Sequence, residues 1–472
     1  MKYDLLPSAL YTDLYQLSMG QVYFSSGHHE QDAVFDYFFR KLPYGGGYAV
    51  FAGLDDVLET ISRLQFTADD LAYLKGIGMS DDYLKYLSRF RFRGTIHAMK
   101  EGEVIFPNIP VARVEGTLLE AQLIETVLLN LLNFQSLIAT KATRVREVAG
   151  DRTLLDFGLR RAQGIGGYHA SRATIIGGFN GTSNVMAGAN FDIPVSGTMA
   201  HSFIQHYEDE LTAFRVFASG RPENCVLLVD TYHTLESGVP NAITVAKELE
   251  RDGKRLLAIR LDSGDLAYLA KRSRQMLDDA GLHYVKIAAS NQLDENVVKS
   301  LLEQGAPIDI FGVGTNLVTG QPDAALDGVY KLAYSNGKPR IKLSESLSKT
   351  TLPDKKQVYR VLDSGGMFFG ADAVALSNEA PPDEMHHPIE PGKSMRIGNH
   401  KKEALLEVVM KNGERADERK SLAELSAYRQ QRIALLPPEY RRFQNPHTYK
   451  VGISTSLQRL RNELRDHYLK KS

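Results

Sequence analysis

Cysteine is almost missing from this chain of 472 residues: Cys225 stands alone. That excludes a disulfide framework and any cysteine-rich zinc site. Charge of one sign is missing too, since 56 Lys and Arg face 57 Asp and Glu for a formal net charge of −1. No global electrostatic footprint for nucleic acid exists. No apolar run approaches the ~18 residues that a membrane-spanning helix needs. The opening "MKYDLLPSALYTDLYQ" puts aspartates where a secretory signal needs an apolar core. Internal repeats and low-complexity tracts are absent. The expectation is a soluble, cytoplasmic protein with no membrane or nucleic-acid partner. What is there is ordinary for a globular chain: 43% apolar and 24% charged residues, with length enough for two or three domains.

Residues 93–116, "RGTIHAMKEGEVIFPNIPVARVEG", alternate apolar and polar positions between Gly and Pro, which reads as short antiparallel strands. "TLLEAQLIETVLLNLLNFQSLIATKATRVREVAG" follows as one long, largely buried helix or two. From about residue 153 apolar runs recur, each ending in small or polar residues: "TLLDFGLRR", "TIIGGFNGTSN", "IPVSGTMAH", "CVLLVDTYHT", "LLAIRLDSGD", "YVKIAASNQ" and "IDIFGVGTN". Helix-like stretches such as "NAITVAKELERDG" lie between several of them. Runs that are apolar throughout, alternating with helices, indicate parallel strands covered on both faces. Seven such units plus "GVYKLAY" fit a (β/α) barrel, with its site at the C-terminal strand ends. A doubly wound sheet is the rival, but it gathers functional groups at a switch point. Beyond residue 330, "RIKLSES", "KKQVYRVLD" and "KEALLEVVMKNG" read as strands and the basic tail "TSLQRLRNELRDHYLKKS" as a helix. The expected class is α/β, with a barrel-like domain (136–334) inserted in an α+β, sandwich-like domain built from residues 1–135 and 335–472.

The strand ends carry the chemistry. "FGVGTNLVTG" holds Gly312, Gly314 and Thr315, either a tight turn or a loop whose backbone N–H groups wrap a phosphate. In "IRLDSGDL", Arg260 and Asp262 share one side of a strand because side chains alternate with period two. They form a buried ion pair, or serve a ligand with an anionic group and a hydroxylated ring; Asp265 lies just beyond. "DFGLRRAQG" carries Phe157, Arg160 and Arg161, and the adjacent arginines are either solvated or set for phosphate oxygens. Asp230 and His233 in "DTYHT", with His201 and Asp262, would suit a metal-dependent barrel hydrolase. That class wants His-x-His or a similarly tight ligand group, and no His-x-His occurs.

His201, in "GTMAHSF", falls in a first helical turn, where the helix dipole disfavours imidazolium by roughly 0.3–1 kcal/mol. A neutral ring is nucleophilic, and a phosphoryl group on it would meet free N–H donors. By residue chemistry alone His201 is a phosphate acceptor, a base or a structural histidine.

Ten segments in one order resemble the nicotinate phosphoribosyltransferase family, of the type II phosphoribosyltransferase group. They are "ALYTDLYQLSMGQVYF", "GGGYAVFAGLDDVLE", "EGEVIFPNIPVARVEG", "DFGLRRAQG", "GGFNGTSNVMAG", "GTMAHSF", "VDTYHT", "IRLDSGDL", "GVGTNLVTG" and "LPPEYRRFQNPHTYKVG". The resemblance implies ATP-coupled synthesis of nicotinate mononucleotide and diphosphate from nicotinate and phosphoribosyl diphosphate, in NAD biosynthesis or salvage. It implies a phosphohistidine at His201, and a homodimer in which Tyr15 crosses the interface to stack the pyridine ring with Phe157. Thr198 and Arg260 are similar to nicotinate-binding positions, Arg160 to a phosphate or diphosphate contact, and Asp262 to the ribose-hydroxyl partner. Gly314 with Thr315 would hold the 5′-phosphate. Related nicotinamide enzymes carry a carboxylate where Ser183 stands, so the acid is the expected base and the amide the alternative. The nitrogen of nicotinate has its own lone pair and needs no general base. The work left to the protein is positioning and charge stabilisation around a departing diphosphate. Mg²⁺ is expected on the substrate phosphates, with no protein cage and no metal site of its own.

Overall fold

The structure, a computed structural model, describes residues 7–344, 350–390 and 392–469. The chain divides into two compact units, one of residues 141–324 and one of residues 7–140 with 325–469. The chain passes between them within the helix Glu125–Ala149, which follows the short helix Leu118–Leu123.

The unit of residues 141–324 is built on six parallel strands: β1 (Thr153–Asp156), β2 (Gly181–Thr182), β3 (Val226–Leu228), β4 (Ala258–Leu261), β5 (Lys286–Ser290) and β6 (Ile310–Val313). Their spatial order is β2-β1-β6-β5-β4-β3. Each strand therefore lies beside its neighbour in sequence, with β6 returning to β1. The one break falls between β2 and β3, where the chain makes a single parallel bridge, Thr182 to Val195. This is a curled, barrel-like sheet open on one side. Leu154, Ile259, Leu261, Ile287, Phe311 and Val313 are buried, as strands covered on both faces require. The covering helices include Val239–Arg251, Leu266–Asp279 and Glu295–Glu303. Asp265 accepts from Tyr268 N, and Asp294 from Asn296 N and Val297 N, to start the last two. Asp265 is thus a helix cap rather than a ligand group.

Three expectations about the barrel-like sheet need correction. Thr174–Ile176 of "TIIGGFNGTSN" belong to the helix Gly166–Ile176, and the strand there is only Gly181–Thr182. That helix is buried nearly all round, so its apolar run cannot be told from a strand by periodicity. In "IPVSGTMAH" a lone bridge replaces a strand, consistent with Pro194 lacking an N–H for a ladder. "GVYKLAY" is no eighth barrel strand. Gly328–Ser335 pairs antiparallel with Asp32–Phe39 in the other unit, where Phe35 stacks on Tyr330 at 4.7 Å.

That other unit holds two sheets. A seven-stranded sheet is centred on Gly328–Ser335, Asp32–Phe39, Ala112–Thr117 and Thr95–Ala98, so chain from before and after the barrel interleaves in it. A six-stranded sheet contains Lys356–Leu362, Phe368–Leu376 and Lys450–Ile453. "KEALLEVVMKNG" supplies two strands, Lys401–Ala404 to one sheet and Glu407–Lys411 to the other. Of "RIKLSES", residues 340–344 form no strand and 345–346 lie outside the described residues. The C-terminal helix is Thr455–Leu469, and the remaining residues of its expected span lie outside the described ones.

Candidate active site

The parallel strands of a barrel-like sheet direct the side chains that follow them to one rim. Phe157 follows β1, Ser183 follows β2, and Asp230 lies two residues past β3. Arg260 lies in β4 with Asp262 just beyond it, Ser290 ends β5, and Gly314 with Thr315 follows β6. Thr198 and His201 come from the stretch that interrupts the sheet between β2 and β3.

Arg260 is the centre of this rim. It is the one half-buried residue in a strand otherwise buried. Nη2 donates to Asp262 Oδ1 at 3.0 Å, Nε to Ser290 Oγ at 2.9 Å, and Nη1 to Thr198 Oγ1 at 3.0 Å. Its guanidinium carbon lies 5.5 Å from the centroid of Phe157, a cation–π contact. Ser290 in turn donates to Asp262 Oδ1. Arg260, Asp262, Thr198 and Phe157 are therefore together. The Arg–Asp ion pair exists, but Asp262 keeps 28% of its side-chain surface open.

His201 opens the short helix His201–Gln205 with Nδ1 3.0 Å from Thr231 Oγ1. Its Nε2 is 3.9 Å from Asp262 Oδ2 and 4.0 Å from Asp230 Oδ1. Asp230 Oδ2 accepts from Asp262 N and Ser263 Oγ, each at 2.7 Å, which ties the end of β3 to the end of β4. Its Oδ1 is buried with no hydrogen-bond partner among the described residues. His233 stays apart from this group: it is exposed, and its carbonyl accepts from Ser237 N and Gly238 N at the start of a helical turn.

Two residues that sequence reasoning passed over hold the rim in shape. Asp156 is fully buried; its Oδ1 accepts from Gly158 N and its Oδ2 from Ser171 and Thr182 hydroxyls, all at 2.8 Å. Burial pushes its carboxyl pKa up, against the pull of those donors. It pins the chain on either side of Phe157, and through Thr182 the residue before Ser183, whose N–H donates to Asp156 O at 2.8 Å. The second is Ser290. The signals were a lone acid ending the apolar run "TLLD" and a lone hydroxyl ending "IAAS".

Gly312 has a different reason from the one its loop suggests. A Cβ there would lie 2.4 Å from the Phe157 ring, so its lack of a side chain seats the aromatic ring. Gly314 faces the Phe157 carbonyl, where a Cβ would come to 3.2 Å, and Thr315 begins the turn Thr315–Val318. Arg160 is exposed on the turn Leu159–Arg161, and Ser183 is half-buried. Tyr15 belongs to the other unit, where it is 49% exposed on the helix Leu14–Ser25.

Three family models match the chain: the nicotinate phosphoribosyltransferase (NAPRTase) N-terminal domain over residues 10–133, the NAPRTase family over 153–365, and the NAPRTase C-terminal domain over 355–461. The nicotinate phosphoribosyltransferase of Bacillus subtilis is 45% identical, covering 94% of this chain and 93% of that protein. The one from Dictyostelium discoideum is 39% identical over 95% and 86%. The crystal structure of human nicotinic acid phosphoribosyltransferase superposes with a TM-score of 0.86 at 32% identity, covering 96% of this chain and 99% of that one. Nicotinate-nucleotide pyrophosphorylase from Pyrococcus furiosus shares the fold, with a TM-score of 0.72 at 24% identity over 92% and 99%. With that identity sustained along nearly the whole chain, the protein belongs to the nicotinate phosphoribosyltransferase family.

Proposed function

We propose that this protein joins nicotinate to phosphoribosyl diphosphate, releasing diphosphate and forming nicotinate mononucleotide for NAD biosynthesis or salvage, with ATP hydrolysis coupled through a phosphohistidine at His201. One observation carries the reading: an Arg–Asp pair only partly closed on itself stands beside an aromatic ring, with a histidine nitrogen facing the same aspartate.

Phe157 supplies a face for the pyridine ring, and Arg260 with Thr198 supplies donors for its carboxylate. Ser183 presents a neutral hydroxyl, which tolerates that carboxylate. Asp262 Oδ2 takes ribose hydroxyls, Gly314 and Thr315 the 5′-phosphate, and Arg160 the diphosphate. The pyridine nitrogen attacks C1 of the ribose as the C–O bond to diphosphate breaks, so charge develops on the leaving group and on the sugar. In the tautomer whose Nδ1–H donates a hydrogen bond to Thr231 Oγ1, the lone pair sits on Nε2, which forms the N–P bond as the bond from the γ-phosphorus to ADP breaks. Asp230 Oδ1 and Asp262 Oδ2 are hard oxygen donors of the kind that suits Mg²⁺. Carried on the substrate phosphates, that ion would supply neutralisation of the leaving charge.

The reading includes a homodimer with shared sites and a place in the cytoplasm. Leu14, Tyr15 and Val22 on the first helix, with Tyr11 just before it, are exposed apolar residues, a surface suited to a second copy of the chain. Among the described residues, no helix is long and apolar enough to cross a membrane.

The test is incubation with nicotinate, phosphoribosyl diphosphate, Mg²⁺ and γ-labelled ATP. Mononucleotide and acid-labile protein phosphate are expected, and His201→Asn should lose the label and ATP hydrolysis while keeping some ATP-independent synthesis. Acid-labile label persisting in that variant would remove His201 from the role. No mononucleotide from the wild type would sink the whole reading.

A further inference from the structure

Arg260 sits in a strand and Asp262 just past its end, two residues on, with their side chains already in contact. Left alone, such a pair prefers the bidentate fork, with two parallel N–H···O bonds that use both carboxylate oxygens. Here the pair is held short of that geometry. Nε donates to Ser290 Oγ at 2.9 Å instead of to Asp262, and Ser290 spends its own proton on Asp262 Oδ1. Only Nη2 reaches Asp262, at 3.0 Å, and it reaches the same oxygen, Oδ1. Nη1 is occupied by Thr198 Oγ1 at 3.0 Å and, more distantly, by Met199 O at 3.5 Å. A guanidinium has five N–H groups. Four are thus directed to protein oxygens, and one N–H of Nη2 remains. On the carboxylate, Oδ2 remains, facing His201 Nε2 at 3.9 Å.

We propose that Ser290 is a positioning residue whose hydroxyl keeps the Arg260–Asp262 pair open, so that one N–H stays free for the carboxylate of the base and one carboxylate oxygen for the sugar. This rests on the reading of the site as a phosphoribosyl transfer centre. Ser290 suits the task by its place: it is buried at the end of β5, beside Arg260's own strand. It is also in register with Gly312 of β6, the position that seats the Phe157 ring. Without the hydroxyl, Nε loses its acceptor and Oδ1 loses a donor. The nearest remedy for both is the bidentate pair, which consumes Oδ2 and turns the guanidinium edge away from the base.

The variants are Ser290→Ala and Ser290→Thr, each measured for KM and kcat toward nicotinate and phosphoribosyl diphosphate, with nicotinate binding by calorimetry beside them. Ser290→Ala should raise KM for both substrates about tenfold and weaken calorimetric binding in step, with a much smaller change in kcat. Ser290→Thr, which keeps the hydroxyl, should restore most of the loss. An alanine variant with unchanged KM would overturn the proposal, and so would a threonine variant as impaired as alanine at an unaltered melting temperature. If the added methyl lowers the melting temperature, Ser290→Cys replaces it: similar in size and a weak donor, it should behave like alanine, and wild-type behaviour would overturn the proposal. Failure of the wild type to make mononucleotide would count against the proposed function. Normal wild-type turnover with an unaltered alanine variant counts against Ser290 alone.

Discussion

The two units each hide an arginine among carboxylates, and they treat it in opposite ways. In the unit with two sheets, Arg360 is fully buried and every nitrogen is engaged. Nε and Nη2 take both oxygens of Asp372 at 3.0 and 2.9 Å, Nη1 takes Glu103 at 2.5 Å, and Nη2 also reaches Val104 O at 2.8 Å. The acids are saturated as well: Glu103 also accepts from Arg432, Tyr428 and Val104 N, and Asp372 from Tyr449. Burial alone would raise the Glu103 pKa, but the charges of Arg360 and Arg432 hold it below the usual carboxylate value. In the barrel-like unit, Arg260 meets a single oxygen of Asp262, and Asp230 Oδ1 has no hydrogen-bond partner among the described residues. A guanidinium closed on both oxygens of a buried carboxylate is architecture. One that meets a single oxygen and leaves the other open is prepared for something that comes and goes.

If that contrast is right, truncating the two arginines should damage different properties. Arg360→Ala leaves Asp372 buried without its cation and Glu103 with Arg432 alone, and breaking a buried pair in this way costs about 3–5 kcal/mol of stability. The expected outcome is a large drop in melting temperature, with near-normal activity in whatever fraction stays folded below it. Arg260→Ala should move the melting temperature far less, because its neighbours already face the open rim. Its kcat/KM for nicotinate should fall on the order of a hundredfold or more, since losing one partner of a hydrogen-bonded charge contact costs about 2–5 kcal/mol. Equal melting losses in the two variants would erase the distinction.

Ser183→Asp sharpens the contrast within the open site. Nicotinate would bring a carboxylate to a half-buried place now holding a neutral hydroxyl. Two like charges ~4 Å apart at an effective dielectric near 20 repel by about 4 kcal/mol, before solvent and protonation reduce it. A loss of at least tenfold in kcat/KM for nicotinate needs only ~1.4 kcal/mol. Nicotinamide, neutral and able to donate to the new carboxylate, should lose less. Steady-state kinetics on both bases would show it, and an unchanged ratio between them would mean that Ser183 does not face the ring substituent.

Much of the barrel-like sheet was legible because its strands are apolar on both faces and end in glycine or polar residues, a pattern that composition and punctuation carry. The same logic misread "GVYKLAY", since a half-buried antiparallel strand and an apolar parallel one look alike over seven residues. It also took Thr174–Ile176, the end of a buried helix, for a strand. In the site, Arg260 and Asp262 could be paired from period-two spacing alone, because the chain stays close to extended from the strand into the residue just past its end. Ser290 and Asp156 could not be placed. Their partners come from other strands and from the helix Gly166–Ile176, and no local spacing relates residue 260 to 290 or 156 to 171. The partial closure of the Arg260–Asp262 pair is a matter of side-chain direction, which sequence does not carry.

The smallest effect concerns how saturated charges answer to acid. Glu115, in the unit with two sheets, receives Arg113 Nε at 2.8 Å and Lys355 Nζ at 2.6 Å, with His97 Nε2 at 3.3 Å. Burial pushes its carboxyl pKa up, but hydrogen bonds from His97 and Lys355 and the charge of Arg113 outweigh that and bring it to about 2, from an ordinary 4.5. A carboxylate whose pKa is lower folded than unfolded stabilises the fold above its unfolded value. That contribution is lost as pH falls through the folded one. The window therefore runs from 4.5 down to about 2. Glu115→Gln has nothing to titrate there, so it should be less stable than the wild type near neutrality, with the gap narrowing steadily below pH 4.5. Because Glu115 is only partly buried, solvent screening keeps the neutral-pH gap modest, smaller than that of Arg360→Ala. Urea midpoints for both proteins at a series of pH values down to about 3 would reveal the convergence. A gap that stayed constant with pH would mean that Arg113, Lys355 and His97 together do not favour the charged form of Glu115 over its neutral form. The variant's cost would then be one of packing.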